Sequence, residues 1–230
     1  MINNKKVLAI IPARGGSKGV PRKNIIDIHG KPLLFYTFKQ AQESEYIDRV
    51  ILSSEDQEII EIAKDLGCEV PFERPAELAS DKAGTMPVIF HALDQLEESY
   101  DYIVLLQVTS PLRTTEDIDR SIELCEEKNS PACVSVVETD KPPHWMFNLD
   151  EDNAMKPILT ETHLPKRRQD APNAFIVNGA VFVAQTDWIK TKDHFISDQT
   201  IAYVMPKSRS LDIDTEDDII LLKHRNPSSI

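Results

Sequence analysis

The chain has 230 residues, 41% of them hydrophobic and 28% charged, with 38 acidic against 26 basic side chains and a formal net charge of -12. That is the composition of one globular core, and so acidic a balance lacks the broad basic footprint that nucleic-acid binding needs. No apolar run approaches the ~18 residues of a membrane span, and MINNKK leads into a strand without a hydrophobic leader, so a cytoplasmic protein with no membrane partner is expected.

The first predicted strand, residues 6–11, runs into PARGGSKGVPRKN at 12–24, which packs three of the seven glycines and four basic residues, with no acid, into thirteen positions. Gly15, Gly16 and Gly19 permit backbone N–H groups to approach an anion, while Arg14, Lys18, Arg22 and Lys23 supply cations. A phosphate cradle and a solvated basic loop both fit this composition. The spacing is neither that of a P-loop nor that of the dinucleotide-binding G-x-G-x-x-G fingerprint.

A helix over 32–43 with Pro32 in its first turn leads to a strand at 49–53. The following helix ends at Leu66 before Gly67, places Ile59, Ile60, Ala63 and Leu66 on one face, and offers Ser54 and Gln57 as a capping box. A short strand at 69–72, a polar loop from Arg74 to Thr85, a helix at 85–97 and a buried strand at 102–108 come next. QVTSPLRT at 107–114 then points Gln107 into a cleft, before a helix at 115–128 and a strand at 132–137. This alternation predicts an α/β doubly wound sheet whose ligand lies where the loops after Ile11, Phe72 and Val108 meet.

Residues 138–172 break the rhythm with prolines, the cluster Trp145-Met146-Phe147 and the run Lys166-Arg167-Arg168. An arm packed on a second subunit and a flap over the chain's own core are both compatible with that insertion. Strands at 178–184 and 201–205 and a helix at 215–224 complete the order. Between the last two, LDIDTEDD sets Asp212 and Asp214 on one side of an extended stretch and Ile213 on the other. Two such carboxylates suit Mg²⁺ beside a polyphosphate, yet the same segment reads as an acidic helix start capped by Asp214 or Thr215. Cys68, Cys125 and Cys133 are isolated, the six histidines form no zinc-ligand pair, and G-x-S-x-G is absent.

Together, IPARGGSKGVPRKN, RPAELASDKAG, LLQVTSPLRT, RRQDAP with the following NGA, and LDIDTEDD resemble, in order and spacing, the acylneuraminate cytidylyltransferase family over nearly the whole chain. The resemblance implies a Rossmann-like mixed sheet of the nucleotide-diphospho-sugar transferase type, forming one domain over 1–230. The insertion at 138–172 would be its dimerisation arm and a homodimer its active unit. It implies transfer of CMP from CTP to the anomeric hydroxyl of a sialic acid, with Mg²⁺ as cofactor and pyrophosphate as the other product. Legionaminic or another nonulosonic acid is the alternative acceptor, and an idle nucleotide-binding module the alternative outside enzymes. By matching position, Arg14, Gly15, Gly16, Ser17, Lys18 and Lys23 would contact the triphosphate, Asn24 the ribose, and Arg74, Ala83 and Thr85 the cytosine. Gln107, Lys141 and Arg168 would meet the sugar acid, the last two from the partner subunit, and Asp212 and Asp214 would bind the metal. Arg14, Lys23, Asp212 and Asp214 would carry the catalysis. Val108 stands where the family has proline, and Ala171 where leucine is common.

Overall fold

The computed structural model describes residues 1–17, 19–80, 83–159, 167 and 170–225. In chain order the elements are β1 (Val7–Pro12), the hairpin β2 (Asp27–Ile28) and β3 (Lys31–Pro32), α1 (Leu33–Gln42), β4 (Arg49–Ser53) and α2 (Gln57–Asp65). Then come α3 (Thr85–Gln95), β5 (Tyr102–Leu105), α4 (Thr115–Glu127), β6 (Ala132–Glu138), the hairpin β7 (Phe147–Leu149) and β8 (Met155–Pro157), and β9 (Phe175–Gln185). A short α5 (Thr186–Ile189), β10 (Thr200–Val204) and α6 (Glu216–Lys223) follow.

Six strands form one mixed sheet in the order β10-β6-β9-β5-β1-β4, in which β9 alone runs antiparallel, to β5 and to β6. Central β1 is apolar along its length because helices cover both faces of the sheet. Alternation along β1 places Val7, Ala9 and Ile11 with Leu33 and Leu34 of α1, Ile118 and Ile122 of α4, and Leu222 of α6. Leu8 and Ile10 point the other way, to Met86, Ile89 and Ala92 of α3 and to Ile189 of α5. The doubly wound mixed sheet expected from the sequence is therefore present.

Four local expectations are corrected. The strand at 69–72 shrinks to an isolated parallel bridge of Glu69 with Ile51, because Pro71 has no N–H to continue a ladder. The cap of α2 is Asp56, whose Oδ1 accepts from Ile59 N at 3.1 Å, while Ser54 Oγ is used one step earlier by Asp56 N. The strand at 102–108 ends at Leu105, and Gln107 and Thr109 turn out of the sheet towards solvent. Strand β9 starts earlier than expected, and its pairing with β6 shifts register between Val134 and Val136. Gly179, at φ +75°, supplies the left-handed backbone in this stretch.

Candidate active site

A cleft of about 340 Å³ opens beyond the carboxyl ends of β1 and β5, where loops leave a parallel sheet and ligands bind. Arg14, Gly16, Ser17, Lys23 and Asn24 line it from the loop after β1, and Arg74 from the loop after the Glu69 bridge. Ala83 and Thr85 contribute from the start of α3, Gln107 from beyond β5, and Asp212 and Asp214 from the approach to α6. Eleven of the residues singled out in the sequence thus share one cavity.

The loop is held in shape by its own polar groups. Asn24 is buried and donates from Nδ2 to the Arg14 carbonyl at 2.9 Å, and Arg22 sits in the left-handed region at φ 57°. Arg22 forms ion pairs with Asp56 and Glu58, so this cation braces the loop against α2. Gly19 packs on Asp214, whose carbonyl oxygen would lie 2.1 Å from a Cβ at that position. Lys23 Nζ donates to the Ile213 carbonyl and stands 3.1 Å from Asp214 Oδ1. Two segments some 190 positions apart in sequence are thereby fastened together.

The acidic stretch behaves as its alternation suggests. Ile213 is fully buried and its N–H donates to the Thr109 carbonyl at 2.8 Å, which leaves Asp212 and Asp214 on the cleft side. The helix cap is made by Thr215 with Asp218: Asp218 N donates to Thr215 Oγ1 at 3.3 Å and Thr215 N to Asp218 Oδ2 at 2.8 Å. Capping is therefore satisfied without either cleft carboxylate. Asp212 Oδ1 is buried and has no hydrogen-bond partner among the described residues. Burial, and next Asp214 nearby, raise the Asp212 pKa above the usual carboxylate value, against the opposing pull of a hydrogen bond with Thr109 and of Lys23. Among the described residues no group of three or more His, Cys, Asp or Glu side chains could hold a metal by itself.

The sequence also expects Gly15 in the cradle. Gly15 does not line the cleft, and its N–H donates to Glu55 Oε1 at 2.8 Å. Lys141 is exposed and is not among the residues that line the cavity. Lys18 and Arg168 lie outside the described residues.

Four residues important to the site were not singled out as such. Glu55 joins Gly15 to Arg74. Arg113, fully buried, donates to the carbonyls of Gln107 at 3.0 Å and Ala180 at 2.8 Å and so fixes the backbone that presents Gln107. Burial pushes its pKa down to about 9, partly offset by Asp117. Asn178 accepts from Ser135 Oγ at 2.6 Å and donates to Ser210 Oγ at 3.0 Å, tying β9 to β6 and to the segment before Asp212. Gly179 lies against that site, its missing Cβ falling 2.8 Å from Gln107 Oε1 and 3.8 Å from Asp212 Oδ2. Only the residues NGA carried a signal for this cluster.

Fold and cleft together define a Rossmann-like α/β protein of the nucleotide-transferring kind. The same fold occurs in a solved CMP:2-keto-3-deoxy-manno-octonic acid synthetase complexed with CTP, at TM-score 0.73 and 14% identity, covering 95% of this chain and 97% of that one. A 4-diphosphocytidyl-2C-methyl-D-erythritol synthase from Anaerococcus prevotii superposes at TM-score 0.65 and 14% identity, covering 96% of each chain. The cytidylyltransferase family model matches residues 8–180. A pseudaminic acid cytidylyltransferase of Campylobacter jejuni is 35% identical over 95% of both chains. A CMP-N,N'-diacetyllegionaminic acid synthase of Legionella pneumophila is 31% identical over 91% of both. An N-acylneuraminate cytidylyltransferase of Escherichia coli is 35% identical over 94% of this chain, which spans about half, 51%, of that relative. The chain belongs to the cytidylyltransferase family and is a nucleotidyltransferase, as the resemblance implied.

Proposed function

We propose that the chain transfers CMP from CTP to the anomeric hydroxyl of a nonulosonic acid, forming the CMP-sugar and releasing pyrophosphate. The observation that carries this reading is the meeting of Arg14 and Lys23 with Asp212 and Asp214 around one cleft. N-acetylneuraminic acid is the acceptor suggested by the ordered motifs. Pseudaminic acid is a second reading, favoured by the relative of that name matching 95% of both chains, and legionaminic acid is a third arm of the test.

Arg14 and Lys23 would neutralise charge on the triphosphate as the bridging oxygen of the leaving pyrophosphate takes up electrons. Arg74, Ala83 and Thr85 would enclose the base, and Asn24, Gly16 and Ser17 would position ribose and phosphates. Gln107, fixed through its carbonyl by Arg113, would orient the sugar acid for in-line attack. The unpartnered Asp212 Oδ1 and the exposed Asp214 carboxylate fit Mg²⁺, which takes one or two protein carboxylates and completes its shell with phosphate and water. Such an ion supplies further charge neutralisation on the phosphates. Asp212 Oδ1 is also the acceptor that a departing hydroxyl proton would find.

One catalytic unit over 1–230 with its arm at 138–172, working as a homodimer in the cytoplasm, completes the proposal. Exposed Trp145 and Leu149 on the arm support the dimer. Pyrophosphate release from CTP, measured over a panel of N-acetylneuraminic, pseudaminic and legionaminic acids, tests the reading. Arg14→Ala and Asp214→Ala are expected to abolish release while leaving the circular dichroism spectrum unchanged. Near-normal release by either variant refutes the assignment.

A further inference from the structure

We propose that Glu55 is a positioning residue that yokes Arg74 on the base side of the cleft to the glycine-rich loop on its phosphate side, so that CTP affinity and base selectivity depend on one carboxylate. The inference rests on the reading of this cleft as the CTP site. Glu55 Oε2 accepts from Arg74 Nη2 at 2.6 Å, and its Oε1 accepts from the Gly15 N–H at 2.8 Å. One oxygen orients an arginine of the cleft wall, and the other pins the loop backbone next to Gly16, which lines the cleft. The carboxylate side chain is 17% exposed and the arginine 3%, so neither charge has water enough to replace its partner.

The neighbours of Glu55 make the link stiff. Arg74 N donates to the Ser54 carbonyl at 2.8 Å, and Ala13 N to the Ser53 carbonyl at 3.0 Å, so the end of β4 holds the backbone on both sides. Asp56 pairs with Arg22 at the far end of the loop and crowds Gly15, where a Cβ would meet its Oδ2 at 2.2 Å. Gly15 therefore cannot turn its N–H toward the cleft without leaving Glu55. Arg74 Nε is buried and has no partner among the described residues. A guanidinium oriented by Glu55 offers N–H donors, which match O2 and N3 of cytosine as acceptors but meet an N–H donor at N3 of uracil. Loss of the carboxylate would free the arginine to rotate and the loop to drift.

Glu55→Gln keeps the shape and an acceptor for Gly15 while taking away the charge that holds Arg74. Steady-state pyrophosphate release should show KM for CTP raised about tenfold or more, since hydrogen bonds to charged groups are worth that much. The expected kcat at saturating CTP stays within about threefold, KM for the sugar acid is unchanged, and the preference for CTP over UTP falls by a factor similar to the rise in KM. Glu55→Asp, charged but too short to span both partners, should lie between wild type and Glu55→Gln, and it carries the test if the glutamine variant does not fold. A KM for CTP within twofold of wild type in the folded variant, or a lowered melting temperature with no change in KM or selectivity, overturns the role. A wild-type protein that binds no CTP by calorimetry overturns the reading of the cleft and this inference with it. Binding by wild type with equal binding by the variant overturns Glu55 alone.

Discussion

At the scale of single residues the glycines of the loop have separate duties, and these can be told apart by adding one methyl group. At Gly16 a Cβ meets nothing within 4 Å, whereas at Gly19 it would stand 2.1 Å from the Asp214 carbonyl oxygen, a backbone atom that cannot swing aside. Gly16→Ala is therefore expected to stay folded with the wild-type melting temperature. Gly19→Ala must push the loop away from the carboxylate pair, and a shift of about 1 Å in such a site costs on the order of 10²-fold in turnover. Wild-type turnover together with an unchanged melting temperature in Gly19→Ala would refute the close contact. The sequence showed that these glycines cluster with basic residues, and it placed Arg14, Lys23, Asp212 and Asp214 at one site. It could not show that Gly15 and Arg22 face the acidic residues Glu55, Asp56 and Glu58, because a loop's partners across the fold leave no periodic trace.

Among the elements, α4 and β10 are joined by a polar clamp whose worth depends on pH. Asp117 is fully buried, completes the capping box with Thr114, and accepts from Arg209 Nε at 2.9 Å and Nη2 at 2.7 Å and from the Tyr203 hydroxyl at 3.1 Å. Burial works to raise its pKa, but the hydrogen bonds from Arg209 and Thr114 outweigh it and hold the carboxyl below its usual range. A depressed folded-state pKa stabilises above the unfolded value of about 3.9, and that contribution is lost as pH falls through the folded value. Asp117→Asn should thus cost about 2–3 kcal/mol in urea unfolding at pH 7, with the difference from wild type shrinking below about pH 4. An equal difference at pH 7 and pH 3 would contradict the linkage. The helix at 115–128 was itself legible, beginning where QVTSPLRT ends at Thr114. Arg209 was not, since its distance of 92 positions from Asp117 is bridged only by the sheet. The same limit explains the strand gained before Asn178, where pairing with β6 rather than local preference sets the length, whereas the strand lost at Pro71 follows from a local cause, the missing N–H, that the sequence already held.

For the whole molecule the question is whether a site is complete within one chain. Trp145, Leu149 and Met155 of the arm are 41%, 63% and 61% exposed, and Phe175 and Ile176 at the start of β9 are 49% and 56% exposed. Apolar surface of this extent is costly in water and would be relieved by the proposed self-complementary contact between two copies. A sedimentation mass near twice the 26.0 kDa chain is expected, and Leu149→Glu with Ile176→Glu should return it to one chain mass. The proposed supply of Arg168 by the partner makes a sharper demand. If Arg168 serves the neighbouring cleft, a dimer of one Arg168→Ala chain and one Asp214→Ala chain has one site with both defects and one with neither. Random pairing of the two inactive chains would then restore about a quarter of wild-type activity, because half of the dimers are mixed and half of their sites intact. If Arg168 serves its own cleft, every site in the mixed dimer carries one defect and no activity returns. Co-expression with two different tags, followed by pyrophosphate release on the doubly purified fraction, distinguishes the two arrangements in one measurement: about half of wild-type activity per dimer supports exchange of the arm, and none excludes it.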